Sequence, residues 1–247
     1  MARCFGCFFL VFCRTVHEKM NPMNTKTCTP EREVLRIALM PRIPSSPAHA
    51  LCGLISPQAV QRAETFLSEK RRSEFLWSRV LLARLLEAEP SAVMTESPPR
   101  APSIAGCGFS CTGISHTKTW IGAGIGTVSF GFDLEVINPA RVNEALFTRL
   151  FAKRHWDASQ NQVLDFYRFF GMYESAVKMN LPFTSDCSEP FVGSDPQNPC
   201  AARFYRDGST LLTVVSQKPA AVEISVFEPN AMASELKLSA GSVFVEI

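Results

Sequence analysis

Phe130-Gly131-Phe132-Asp133-Leu134-Glu135 is the stretch of this sequence best suited to chemistry. On a strand, Asp133 and Glu135 project from one face, about 6.6 Å apart along it at ~3.3 Å per residue, with Phe132 and Leu134 on the other. Two such carboxylates repel unless something positive sits between them, and hard oxygen ligands suit Mg²⁺. The alternative is a pair of acids on an exposed edge strand. Glu174-Ser175-Ala176-Val177-Lys178 is the second piece. On a helix, Glu174 and Lys178 lie one turn apart on a shared face. That spacing makes either a surface ion pair worth ~0.3–0.5 kcal/mol or a third metal carboxylate beside a cation for phosphate. Ile114-Ser115-His116-Thr117 is the third, placed at a strand end, where a lone His is ordinarily structural. A basic cluster, Lys70, Arg71 and Arg72 with Arg79 and Arg84 beyond, reads by itself as a solvated helix face.

The elements that must position these residues follow from periodicity and punctuation. Residues 34–40 read as a strand, closed by Pro41, Pro44 and Pro47. Ser56-Pro57 reads as an N-cap followed by proline at the first helical position. A second helix over about 72–88 carries Phe75, Leu76, Val80, Leu82, Ala83 and Leu86 in one apolar stripe. Residues 89–102 are proline-rich and read as a linker or long loop. Strands follow over 113–116, 119–125 and 128–136. Gly122, Gly124 and Gly126 match neither G-x-G-x-x-G nor a P-loop, and suit a buried strand with another element packed close. Asn138-Pro139 caps a helix through Phe151, and a longer helix covers about 160–180. The remainder, including 210–215, 222–227 and 243–247, is strand and turn.

The chain has 247 residues, and at roughly 150 residues per domain this allows one large domain or two small lobes. Hydrophobic residues at 46% and charged residues at 19% exclude a disordered tail or a fibrous rod. A net charge of only +2 argues against nucleic-acid binding. The 9 cysteines are an odd number scattered through a long chain, which points to a reducing, cytoplasmic compartment. Cys4 and Cys7 form a C-x-x-C without a second ligand pair at zinc spacing, and Cys107 and Cys111 read as small packing residues in a loop. The apolar run over 4–13 is far shorter than the ~20 residues of a bilayer span, so no stable membrane insertion is expected. Nor does a small-residue cleavage site follow it. Residues 1–33 read as a poorly defined N-terminal extension, 34–127 as an N-terminal lobe and 128–247 as a C-terminal lobe carrying the acids. Both halves alternate strand and helix, which suggests an α+β fold of two related lobes.

The order and spacing of the three chemical pieces resemble the two-lobed 4′-phosphopantetheinyl transferases. The matching stretches are Arg71-Arg72-Ser73-Glu74-Phe75-Leu76 with Arg79; Gly113-Ile114-Ser115-His116-Thr117; Gly131-Phe132-Asp133-Leu134-Glu135; Leu150-Phe151-Ala152-Lys153; and Phe170-Gly171-Met172-Tyr173-Glu174-Ser175-Ala176-Val177-Lys178. The resemblance implies a pseudo-twofold pair of similar α/β lobes, each a small sheet packed on helices, with coenzyme A at their interface. It implies Mg²⁺-dependent transfer of 4′-phosphopantetheine from coenzyme A to a serine of an apo acyl or peptidyl carrier protein, releasing 3′,5′-ADP. Such carriers serve fatty-acid, polyketide or nonribosomal-peptide biosynthesis. Asp133, Glu135 and Glu174 would hold the metal, and Glu174 would also deprotonate the serine. Lys178 would hold pyrophosphate oxygens, and Ser115, His116, Arg72 and Arg79 would contact coenzyme A. The expected protein is a cytoplasmic monomer. Two positions depart from the family, which usually has Trp at Phe170 and Lys at Tyr173. The proline that precedes the S-H motif is matched by either Pro99 or Pro102. Two other classes also accommodate these residues: a homologue that binds coenzyme A or a carrier without catalysis, and a Mg²⁺ nuclease built on the acid pair and E-x-x-K.

The extension reading has a direct test. A chain begun at Met23 is expected to stay soluble with the cooperative melt of the full chain, whereas loss of that transition would put the apolar run in the core.

Overall fold

The computed structural model describes residues 32–42, 55–98, 100–181, 200–229, 236–239 and 244–247. The extension expected over 1–33 and the Cys4–Cys7 pair therefore lie almost wholly outside the described residues. In chain order the elements are β1 (Val34–Pro41), α1 (Pro57–Glu64), α2 (Glu69–Leu85), β2 (Val93–Thr95), β3 (Ser103–Ala105), β4 (Cys111–His116), β5 (Trp120–Gly126) and β6 (Phe130–Val136). A 3₁₀ turn (Pro139–Arg141) leads to α3 (Glu144–Leu150), α4 (Lys153–Ala158) and α5 (Gln162–Lys178). Then come β7 (Ala201–Asp207), β8 (Thr210–Ser216), β9 (Ala221–Pro229), β10 (Leu236–Leu238) and β11 (Val245–Glu246). The protein is a mixed α+β fold. Among the described residues, no helix is long and apolar enough to cross a membrane.

Two sheets carry the structure. One has the order β10-β9-β1-β5-β4, the other β11-β7-β8-β6. Strand β9 lies in the C-terminal half but pairs in parallel with β1, so the first sheet draws on both halves of the chain. Period-2 alternation assigns each face. Ala38, Met40, Ile121, Ala123 and Ile125 pack on α2, around the fully buried Trp77. Leu35, Ile37 and Leu39 turn the other way, toward Phe130, Phe132, Leu134, Leu212 and Val214 of the second sheet. Leu211 and Val215 then join the clusters formed with α3 and α5.

The glycines of β5 are explained by what lies against them. A Cβ on Gly124 would stand 3.0 Å from the Phe130 ring, and one on Gly122 would stand 3.0 Å from both Phe132 and Leu134. The small face of one sheet thus receives the stacked rings of the other, Phe130 and Phe132, with centroids 6.3 Å apart. The expectation of close packing, rather than a phosphate loop, matches this arrangement.

Several sequence expectations are corrected. Helix α2 begins at Glu69, not near 72, because the Ser68 hydroxyl accepts from Arg71 N. The single helix expected from Pro139 through Phe151 is broken at Val142. Asn138 caps only the 3₁₀ turn, and Asn143 starts α3 as a second N-cap. The supposed linker over 89–102 contains β2, which pairs with β3. A strand of three residues is too short to show a period. Cys111 opens β4 instead of lying in a loop.

Helix α5 reaches the second sheet through two glycines. A Cβ on Gly131 would lie 2.2 Å from the Ser175 carbonyl oxygen, and one on Gly171 would lie 2.3 Å from Thr213 Oγ1. Neither contact is sterically possible, so both positions must lack a side chain for the helix to sit where it does. Gly131→Ala is expected to lower stability by about 1–3 kcal/mol or more, read as a lower denaturant midpoint at unchanged slope. Gly108→Ala, where a Cβ meets nothing within 4 Å, is the control and should change little.

Candidate functional site

Close approach of α5 brings the three chemical pieces together at the seam where edge strand β4 meets edge strand β6. The Ser115 hydroxyl donates to Asp133 Oδ1 at 3.0 Å and accepts from Leu134 N at 3.1 Å and from Lys178 Nζ at 3.1 Å. Lys178 Nζ also reaches Asp133 Oδ1 at 2.7 Å and the Phe132 carbonyl at 2.9 Å. Lys178 is the last residue of α5, where the helix dipole favours a cation. Asn180, in left-handed conformation at φ 55°, turns the chain away immediately after it.

Three carboxylates crowd this seam. Asp133 is buried, and its Oδ2 has no hydrogen-bond partner although Oδ1 has two. Glu135 is pushed up to about 7, first by burial and then by the charge of Asp133, with Glu174 adding to the effect. Arg141 and Lys178 offset only part of it. Glu174 is also raised, again by burial first and Asp133 second. Two glutamates raised by burial and by Asp133, beside an orphaned carboxylate oxygen, describe a place where a hard divalent cation would relieve charge. By type, these oxygen donors suit Mg²⁺. Among the described residues, though, no three His, Cys, Asp or Glu side chains are gathered as a ready-made ligand set.

His116 ends β4 and faces another group. The hairpin after it is fixed by Thr117, whose Oγ1 accepts from Trp120 N at 2.9 Å and Thr119 N at 3.1 Å. Thr117 is thus the turn residue of the S-H-T motif. Arg71 lies beside His116, and Glu74, itself only 4% exposed, pairs with Arg42 at 3.0 Å and Arg71 at 3.6 Å. Arg42, Arg71 and Glu74 were given no role by sequence reasoning; Arg71 and Glu74 carried a signal, both in the matching stretch over 71–76 and Arg71 also in the basic cluster.

The two arginines that were given a role have partners within the protein. Arg72 donates to the Phe66 carbonyl at 3.0 Å. Arg79 is 5% exposed, lies 3.9 Å over the Phe75 ring, and forks onto Glu96 at 2.8 and 2.7 Å. A phosphate reaching Arg79 would compete with Glu96 for that fork. Tyr173, where the resemblance expects lysine, packs in the aromatic cluster of α3 and α5 with its ring 6.4 Å from Phe170.

A groove of about 820 Å³ opens along the seam, between α2, the β2–β3 hairpin, β4, β6 and the end of α5. Its size lies in the ~300–1,000 Å³ range of small-molecule sites. Lys178 stands at one wall, Arg62, Arg79 and Arg100 line it, and Phe66, Phe75 and Phe130 supply apolar surface. Pro102 lines it too, its carbonyl accepting from Thr112 Oγ1, whereas Pro99 lies outside the described residues. The groove suits a long, polyanionic ligand with an apolar portion.

No protein-family model matches this chain, and no curated protein matches it.

The carboxylate cluster predicts a pH dependence. Glu135 binds its proton more tightly in the folded state, up to about 7 against an ordinary 4.5. Its contribution to stability is therefore complete below pH 4.5 and is lost as pH rises through 7. Glu135→Gln removes the charge and keeps the shape. It is expected to stabilise the protein by on the order of 1–2 kcal/mol at pH 8, after discounting for partial exposure, and by nothing at pH 4. Denaturant titrations at the two pH values check this. Equal effects at both would show that Glu135 ionises freely.

Proposed function

We propose that this protein is a Mg²⁺-dependent 4′-phosphopantetheinyl transferase acting on an apo acyl or peptidyl carrier protein. The observation that carries the reading is the convergence of Ser115, Asp133 and Lys178, up to 63 residues apart in sequence, on one hydrogen-bonded seam beside the groove. The S-H-[ST], D-x-E and E-S-x-x-K pieces that prompted the resemblance thus have a common place to act.

In this reading coenzyme A lies in the groove. Its phosphates face Lys178 and His116, and its apolar arm lies along the phenylalanine-lined wall. Asp133, Glu135 and Glu174 would hold Mg²⁺, which when bound neutralises charge on the pyrophosphate as 3′,5′-ADP leaves. Lys178 has two roles: it holds Asp133 through Oδ1, and it would orient phosphate oxygens. Glu174, raised by burial first, would take the proton from the carrier serine hydroxyl. The serine oxygen forms its bond to the phosphorus that bears pantetheine. The bond from that phosphorus to the bridging oxygen breaks, and the electron pair leaves with 3′,5′-ADP.

Tyr173 favours a second reading, in which the protein binds coenzyme A or a carrier without turnover. Its ring belongs to the aromatic cluster, so the cation that the resemblance expects beside the pyrophosphate is missing.

Incubation with coenzyme A, Mg²⁺ and an apo carrier, followed by mass measurement of the carrier, separates these readings. Asp133→Asn is expected to reduce phosphopantetheine addition by at least 10²-fold at matched stability. Glu174→Gln should be at least as damaging, since on the order of 10²–10⁴-fold is typical for a positioned acid or base. Excess Mg²⁺ should not restore the Glu174 variant. Wild-type rates in Asp133→Asn would remove the transferase assignment, and binding of coenzyme A without carrier modification would favour the second reading.

A further inference from the structure

His116 stands among charged groups from three other elements: Arg42 after β1, Arg71 and Glu74 on α2, and Lys178 at the end of α5. Arg71 Nη1 lies 3.3 Å from His116 Nε2 and 3.6 Å from Glu74 Oε2, which stands 3.9 Å from His116 Nε2, beyond hydrogen-bond reach, while Arg42 Nη2 holds the other Glu74 oxygen at 3.0 Å. A guanidinium has donors only and stays protonated throughout the working pH range. A hydrogen bond from Arg71 therefore needs a lone pair at His116 Nε2, whereas an imidazolium carries N–H groups at both nitrogens. With Nε2 accepting, the ring is neutral and its one proton sits on Nδ1.

We propose that Arg71 is a positioning residue that fixes His116 as the neutral Nδ1–H tautomer, with Glu74 holding the Arg71 guanidinium in place. The electrostatics agree. Burial lowers the His116 pKa first, and Arg71, Lys178 and Arg42 act in the same direction against Glu74. Free histidine in water prefers its proton on Nε2, so this arrangement reverses the ordinary tautomer and leaves a measurable trace. It also separates two tasks. An anion meeting His116 takes a neutral N–H from Nδ1, and its counter-charge comes from Arg71 and Arg42. That this anion is a phosphate of coenzyme A rests on the function proposed above; the tautomer does not.

The test is a long-range ¹H–¹⁵N correlation spectrum of the ¹⁵N-labelled full chain at neutral pH without coenzyme A, with His116 assigned by the signals lost in His116→Gln. The expected spectrum has a pyridine-type Nε2 and a pyrrole-type Nδ1. The Arg71 side chain is 61% exposed, so Arg71→Met should fold normally. In that variant the two shifts are expected to exchange as the proton returns to Nε2. Glu74→Gln should move them the same way by loosening Arg71. A protonated Nε2 in the wild-type protein, or a spectrum unchanged in Arg71→Met, would overturn the proposal. Because no substrate is present, an exchange of shifts in a protein that fails to modify any carrier would sink the transferase reading and leave this one standing.

Discussion

The Ser115 hydroxyl is the point on which the site depends. It has one proton and two lone pairs, and all three are used: Asp133 accepts, while Leu134 N and Lys178 Nζ donate. Those partners belong to β6 and to the end of α5, so one buried oxygen ties an edge strand of the first sheet to an edge strand and a helix of the second. An unpaired edge strand presents free N–H and C=O groups. Here the Leu134 N–H at the β6 edge is satisfied by a side chain from β4. Asp133 is held in the same network, its Oδ1 shared by Ser115 and Lys178 while Oδ2 stays without a partner.

Charge balance around that oxygen separates two regions of the seam. On one side, Asp133, Glu135 and Glu174 lie near Lys178, with Arg141 acting on Glu135, and burial raises both glutamates. On the other, Arg42 and Arg71 gather around the single buried acid Glu74 beside His116. Burying Glu74 needs a well-placed buried partner, here Arg42 at 3.0 Å, because breaking a buried pair costs about 3–5 kcal/mol; Arg71 pairs with it from the exposed side. The acid-rich and arginine-rich regions are adjacent through Ser115 and His116, consecutive residues that point to opposite sides of β4. A ligand with both a metal-bound and an arginine-bound anionic group would span them.

Packing sets the precision of this arrangement. Gly131 and Gly171 let α5 approach within contacts that no Cβ could tolerate, and that approach brings Lys178 to Asp133. The glycine face of β5 does the same between the sheets by admitting the rings of Phe130 and Phe132. The F-G-F-D-L-E strand therefore serves both purposes. Its odd positions build the site, and its even positions fill the core between the sheets.

Much of this was legible from residue order. Period-2 alternation put Asp133 and Glu135 on one face of a strand, the 3.6-residue helical period put Glu174 and Lys178 on one face of a helix, and alternating glycines signalled a close neighbour. These are local properties, set by backbone geometry within a few residues. The partners of charged side chains were not legible. Nothing in the order of Arg71, Arg72 and Arg79 showed that Arg71 would meet His116, Arg72 the Phe66 carbonyl and Arg79 Glu96. Adjacent residues on a helix point about 100° apart, so neighbouring arginines in a basic cluster meet different surroundings. Which of them reaches the site depends on how α2 is rotated against β1 and β5. The pairing of β9 with β1 was equally out of reach, because a strand carries no mark of the sheet it joins. Sequence by itself determined which residues share a face; only the tertiary structure decided what each face meets, because hydrogen bonds and ion pairs across the seam depend on distances between segments far apart in the chain.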